Sequence, residues 1–297
     1  MNKLKIAGLG WEGYTGQIAR IKQGFESLGH ELTYENPNII FCNDPSQYVK
    51  AIQLKEKNPK SFLILNFLDI PWHFPGVLKK ITNEANLMKM ADAVTVISQK
   101  VKKDLSGFYD GKIEVIYNPA KDVYLNQNIK KKNNFLYVGR ANDPIKRIKL
   151  AYESLKIFNK ENDLVICGTE DPKFGKYMGV VNDEILNELY NKSKFVLLPS
   201  KAEGIGLSMI EAMICGSVPI MCSDNSTAKE FSPLEFISEP SPISIKNKID
   251  EINDNYNEFR NLSIKYGKKY KEQFNKKTIA KNILEIYKKK LIKNFID

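Results

Sequence analysis

Residues 195–220, FVLLPSKAEGIGLSMIEAMICGSVPI, constrain the fold more than any other stretch of this 297-residue chain. Phe195–Leu198 is a short, wholly apolar run, the pattern of a strand buried on both faces. A Pro-Ser pair follows it, then Glu203-Gly204-Ile205-Gly206, then an apolar segment with helical spacing. Strand, turn, glycines and helix in that order predict a parallel-sheet unit with Glu203 at the carboxyl end of a strand. The glycines then lie at a helix N-terminus, where free backbone N–H groups and the helix dipole favour an anion such as a phosphate. Glu211 stands eight residues after Glu203, close to a whole number of helical turns, so the two carboxylates are expected on one face.

The rest of the chain repeats the alternation of strand and helix. Strands are expected at 5–9, 38–42, 62–66, 93–97 and 113–117, with helices at 15–28, 45–57, 76–90 and 99–106. A second series has strands at 135–138, 163–167, 195–198, 218–222 and 235–237, and a helical tail begins near 242. Such alternation gives α/β layers. The stretch 119–134, PAKDVYLNQNIKKKNN, is poor in apolar residues and reads as an interdomain linker. The domains expected are thus 1–125, 126–275 and a closing amphipathic helix at 276–297.

With 42% hydrophobic residues the chain has enough apolar content for one or two sizeable cores. Cys42, Cys167, Cys215 and Cys222 form no C-x-x-C pair, which suggests buried free thiols in a reducing compartment. The chain starts directly on a strand and nowhere carries an apolar run near 18 residues, so a soluble cytoplasmic protein is expected. The net charge is +10, with lysines gathered at 100–103, at 130–132 and from 265 to 293. Two readings stay open: solvated helix faces, or attraction to an anionic lipid surface or nucleic acid.

Gly8-Leu-Gly10-Trp-Glu-Gly13 follows a strand and precedes a helix, with Glu35 about twenty residues on. Taken alone it is a dinucleotide-binding fingerprint. Trp11 and Glu12 argue against that reading, because they place bulk and negative charge where a pyrophosphate must approach.

Several motifs in order point elsewhere. They are FLYVGRANDPIKRI at 135–148, ICGTED at 166–171, YMGVVNDEILNELYNKSKFVLLPS at 177–200 and the two glutamates of 203–211. Together they resemble the retaining glycosyltransferases of family 4, the group 1 glycosyl transferases, with their Gly-Arg-x5-Lys and E-x7-E signatures. The resemblance covers residues 113–231 and implies a GT-B fold: two Rossmann-like α/β/α domains facing each other across a cleft, with the last helix crossing back to the first. It places the donor in the second domain and the acceptor in the first. Arg140 and Lys146 would hold the donor pyrophosphate, Gly204, Ile205, Gly206 and Leu207 would add backbone N–H groups, and Glu211 would hold the ribose. The base would be read by backbone near Val180 and Val181. The glycine loop of the first domain would close over the phosphates, with Gly13 and Gly16 as its backbone contacts.

One departure concerns the acceptor side. Many members carry His-Asp-x-Ile-Pro after the fourth strand; here Leu68-Asp69-Ile70-Pro71 occupies the run, and His73 follows. Asp69, at a strand's carboxyl end, is the remaining catalytic candidate there.

Arg140 offers a fork of donors to phosphate oxygens and Lys146 a point charge. They do the electrostatic work often given to a metal, and no Asp-x-Asp occurs in the sequence. A metal-independent enzyme is expected, with no cofactor beyond a UDP- or GDP-sugar co-substrate. Glu203 would bond sugar hydroxyls and stabilise positive charge on the ring. The expected acceptor is a glycan or glycolipid hydroxyl, with peripheral contact at an anionic membrane. A hydroxymethylated base in nucleic acid is the alternative acceptor; a nucleotide-sugar epimerase and a non-catalytic nucleotide-sugar binder are further alternatives.

Overall fold

Short runs of β-branched and aromatic residues collect into two separate parallel sheets. The computed structural model describes residues 3–10, 16–68 and 77–296. Its chain divides into one unit of residues 1–119 and 273–297 and another of residues 120–272.

In the first unit the strands are β1 (Lys5–Leu9), β2 (Glu31–Leu32), β3 (Ile39–Cys42), β4 (Phe62–Phe67), β5 (Ala93–Val96) and β6 (Ile113–Val115), ordered β2-β1-β3-β4-β5-β6. Every neighbouring pair is parallel; Ile39 stands opposite Phe62 and Ile64 opposite Ala93. Strands β3 and β4 are buried at every residue, as a sheet covered on both faces requires. The helices are α1 (Gln17–Glu26), α2 (Tyr48–Lys57), α3 (Val77–Met88) and α4 (Gln99–Leu105). The last helix, given below as α11, belongs to this unit too. Its Ile279, Ala280, Ile283 and Leu284 share one core with Ile6, Ile18, Ile21, Phe25 and Phe41. Asn43, Asn66 and Thr95 form a buried polar chain across β3, β4 and β5: the Asn66 amide donates to Asn43, and the Thr95 hydroxyl donates to Asn66 at 2.7 Å.

The second unit has β7 (Lys132–Val138), β8 (Leu164–Cys167), β9 (Lys176–Tyr177), β10 (Ser193–Leu198), β11 (Val218–Cys222) and β12 (Ile237–Ser238), ordered β12-β11-β10-β7-β8-β9 and again all parallel. Its helices are α5 (Ile148–Lys156), α6 (Asp183–Lys192), α7 (Leu207–Ile214), α8 (Ser226–Phe231), α9 (Pro242–Asp254) and α10 (Tyr256–Gln273), and α11 (Lys276–Ile296) follows. The order of strands reverses between β7 and β10, so the loops leaving those two strands diverge and open a crevice, the usual ligand position in such sheets.

The stretch 119–134 is not the linker expected from its composition. Residues from 120 onward are pinned to the second unit. Tyr124 is buried edge-on against Tyr190, the Leu125 and Gln127 amides donate to the side chains of Asn187 and Asn191, and Asn191 donates back to the Leu125 carbonyl. The lysine run hides a second anchor. Lys131 donates to the Tyr190 and Cys215 carbonyls, both at 2.9 Å, and to Ser217 Oγ at 3.1 Å. It thereby caps the carboxyl ends of α6 and α7.

Burial lowers the Lys131 ammonium to about 7. The unfolded chain, with an ordinary lysine, then binds more protons than the folded one from about pH 7 to about pH 10.5. Stability therefore rises with pH across that window. Urea midpoints measured from pH 7 to pH 9 should climb, and Lys131→Met should flatten the climb; a parallel slope in the variant would exclude Lys131 as its source.

Three smaller differences have local causes. β2 and β9 are two-residue edge strands with no periodicity to reveal them. β7 begins at Lys132, three residues before its apolar part. The strand expected at 235–237 is mostly a 3-10 turn after Pro233, leaving only Ile237–Ser238 extended.

Candidate active site

The site is assembled from the loops that leave β7, β8, β10 and β11. After β10 the chain runs through Pro199 and Glu203 to Gly206, which takes a left-handed conformation (φ 78°, ψ 53°) and starts α7. A residue with a Cβ is disfavoured there. Helix α7 therefore begins at Leu207, directly after the glycines as expected, and Glu203 lies in the loop before it. Glu211 is one turn into the helix rather than two turns beyond Glu203. It is 7% exposed and accepts from the Tyr190 hydroxyl at 3.1 Å, so it is packed between α6 and α7 and is no surface carboxylate. Burial first, then the Glu211 carboxylate, raises the Tyr190 phenol well above its usual range.

From β7 come Arg140 and Lys146. Lys146 Nζ donates to Glu203 Oε1 at 2.7 Å, and the side chains are 18% and 17% exposed. The sequence-predicted cation and carboxylate thus meet at the reversal of strand order. Arg140 pairs with Asp143 at 2.6 Å and remains 60% exposed, free to turn its guanidinium toward a ligand. The Tyr137 hydroxyl donates to the Arg140 carbonyl at 3.3 Å. Its phenol is raised by burial, then by the Glu203 and Asp143 carboxylates, while Arg140 opposes them.

The β8 loop closes tightly on the β7 loop. A Cβ at Gly168 would lie 1.9 Å from the Gly139 carbonyl oxygen, so only glycine fits. The Gly168 amide donates to Gly179, which fixes the segment carrying Val180 and Val181; Val180 is 49% exposed. Glu170 accepts from the Asn142 amide at 3.0 Å. A groove of about 670 Å³, lined among others by Asn142, Asp143, Pro144, Arg147, Pro172 and Phe174, flanks this loop.

In the first unit Gly16 is left-handed (φ 50°) and precedes α1. Gly13, Trp11, Glu12, Asp69, Pro71 and His73 lie outside the described residues. Gly8 and Gly10 have a packing reason of their own: added Cβ atoms would come within 3.1 Å of Lys22 and Ile18 side-chain carbons. Sequence reasoning missed Asp143, Glu170, Arg147, Asp224 and Thr227. Asp224 and Thr227 follow a strand's carboxyl end, the one signal that marks them. Among the described residues no group of three or more His, Cys, Asp or Glu is placed to hold a metal ion. Nor is any described helix long and apolar enough to cross a membrane.

Two doubly wound parallel sheets, the second presenting a cation–carboxylate pair beside a glycine-started helix, define a two-domain α/β protein of the GT-B fold. Residues 125–270 match the family described as glycosyl transferases group 1, and this segment of the chain belongs to that family. The chain is 30% identical over 176 residues to the O-antigen chain mannosyltransferase RfbU of Salmonella typhimurium, covering 52% of this chain and 49% of that protein. It is 25% identical over 282 residues to the poly(ribitol-phosphate) alpha-N-acetylglucosaminyltransferase of Staphylococcus aureus, covering 84% of this chain and 54% of that protein. The chain thus spans about half the length of these curated relatives. Among solved structures it is similar to Anabaena HepE in complex with UDP and glucose (TM-score 0.77, 16% identity, 96% of this chain and 100% of that one). It is similar as well to sucrose-phosphate synthase from Thermosynechococcus elongatus (TM-score 0.81, 15% identity, 98% and 100%). At these identities the likeness is one of fold.

Proposed function

We propose that the protein is a retaining glycosyltransferase that moves a sugar from a UDP- or GDP-sugar to a hydroxyl of a glycan or lipid-linked acceptor. The observation that carries this reading is the Lys146–Glu203 pair at the head of α7, where the order of strands reverses. Arg140, Lys146 and the N–H groups at the start of α7 neutralise the diphosphate as it leaves. Glu203 bonds the sugar and offsets charge on the ring, and Glu211 holds the ribose from its seat beside Tyr190. The bond from the anomeric carbon to the diphosphate breaks while the acceptor oxygen bonds the same face. The acceptor proton passes to the leaving phosphate oxygen, so configuration is kept without an enzyme nucleophile or a metal. The glycan acceptor is supported by the names of the Salmonella and Staphylococcus relatives. The lysine-rich surface fits peripheral contact with an anionic membrane.

A thermal-shift screen of UDP- and GDP-sugars and NAD(P) in EDTA tests the reading. A ligand at about 100 times its Kd should stabilise the protein by about 2.7 kcal/mol, and Arg140→Ala should erase the shift. A shift with NAD(P) alone would transfer the function to the Gly8–Gly13 loop.

A further inference from the structure

Lys146 and Glu203 stand on two different loops, and a third loop supplies what aligns them. Arg147, next to Lys146, is left-handed (φ 48°, ψ 33°) at the start of α5, a conformation that disfavours any residue with a Cβ. Its side chain spans the site's foundations. Nε donates to the Pro199 carbonyl at 2.8 Å, and the two terminal nitrogens grip both Asp224 oxygens at 2.8 and 2.7 Å. Such a bidentate pair fixes direction as well as distance. Asp224 lies between β11 and α8, and from α8 the Thr227 hydroxyl donates to the Glu203 carbonyl. The Lys201 amide donates to Ile145 at 2.8 Å, closing the circuit.

We propose that Arg147 and Asp224 form a positioning latch that sets Lys146 against Glu203 for donor binding. The inference rests on the donor reading above. Three of the five Arg147 N–H groups are committed to Pro199 and Asp224, so the residue acts through its neighbours. The αL backbone keeps Lys146 and Arg147 turned to different partners: one to the reacting pair, the other to the loops beneath.

The test uses Arg147→Gly, which suits the left-handed backbone and removes only the latch, with Asp224→Asn as the milder partner variant. Dissociation constants for UDP and GDP are measured in wild type, in both variants, and in the Lys146→Ala background. Mispositioning should weaken nucleotide binding by about 10- to 100-fold in Arg147→Gly. In the Lys146→Ala background the same change should cost nothing further. Unchanged binding in Arg147→Gly overturns the latch. An undiminished loss without Lys146 overturns it as well, because Arg147 would then meet the phosphate itself. Hydrogen exchange at the Lys201 amide needs no nucleotide: it should quicken several-fold in Arg147→Gly, and unchanged protection rejects the proposal. If wild type binds neither nucleotide, the donor reading fails, and the exchange experiment alone decides the latch.

Discussion

Glu203→Gln should lower turnover by about 10²- to 10³-fold, the usual loss when one electrostatic contact to a transition state is removed. The substitution keeps shape and leaves an amide oxygen to accept from Lys146 at the position now 2.7 Å away. What it removes is the negative charge. In ground-state structure the pair is about one-sixth exposed, so its contribution to folding falls between an exposed pair at about 0–1 kcal/mol and a buried one. The melting temperature of the glutamine variant should therefore stay close to wild type while kcat collapses. Release of nucleoside diphosphate from the matching donor, with or without acceptor, reports the loss. Turnover within threefold of wild type would remove Glu203 from the chemistry.

Gly24→Ala in α1 should destabilise the first unit by about 1–3 kcal/mol, the ordinary cost of overpacking. Two effects compete. Alanine in a helix interior is worth about 1 kcal/mol over glycine. Against it, a Cβ at position 24 would lie 2.3 Å from the Lys276 carbonyl oxygen and 3.0 Å from Ala280 Cβ. A backbone carbonyl at the start of α11 cannot rotate out of the way, so the clash wins. The change would push α11 outward and loosen Ile279, Ile283 and Leu284, each worth about 1.5–3 kcal/mol when fully buried. A melting temperature several degrees lower is the expected result; an unchanged or higher one would show that the two helices do not meet at Gly24.

The alternation of strands and helices was legible because parallel strands buried on both faces are mostly apolar, as β3 and β11 are throughout and as Phe62–Leu65 of β4 and Phe195–Leu198 of β10 are. Arg140, Lys146, Glu203 and Glu211 were singled out by the family resemblance, and the fold brings Lys146 against Glu203. Their depth was not legible. Glu211 looks the same in sequence whether it faces solvent or Tyr190, and the start of α7 depends on the backbone angle at Gly206. Lys131 sits in a run of three lysines that reads as solvated, yet its partners are carbonyls near residues 190 and 215, which no local pattern announces. The Asn187 and Asn191 side chains that hold residues 125–127 are polar groups on a helix, indistinguishable beforehand from surface residues. Arg147 and Asp224 are 77 residues apart, and only the tertiary fold makes them neighbours.

The chain leaves the first unit at Pro119 and re-enters it at Gln273, which has a bearing on how the molecule is made. The second unit is one continuous segment and takes no strand or helix from beyond residue 273. The first unit has five-sixths of its residues synthesised early but must hold its half-covered α1 open until the last helix emerges. Its core around Ile18, Ile21 and Phe25 lacks Ile279, Ile283 and Leu284 over that interval, the sort of exposure that invites chaperones or association. A chain cut off after residue 272 and released should therefore hold a protease-resistant second unit and a susceptible first one, so the unit begun first is the last to mature.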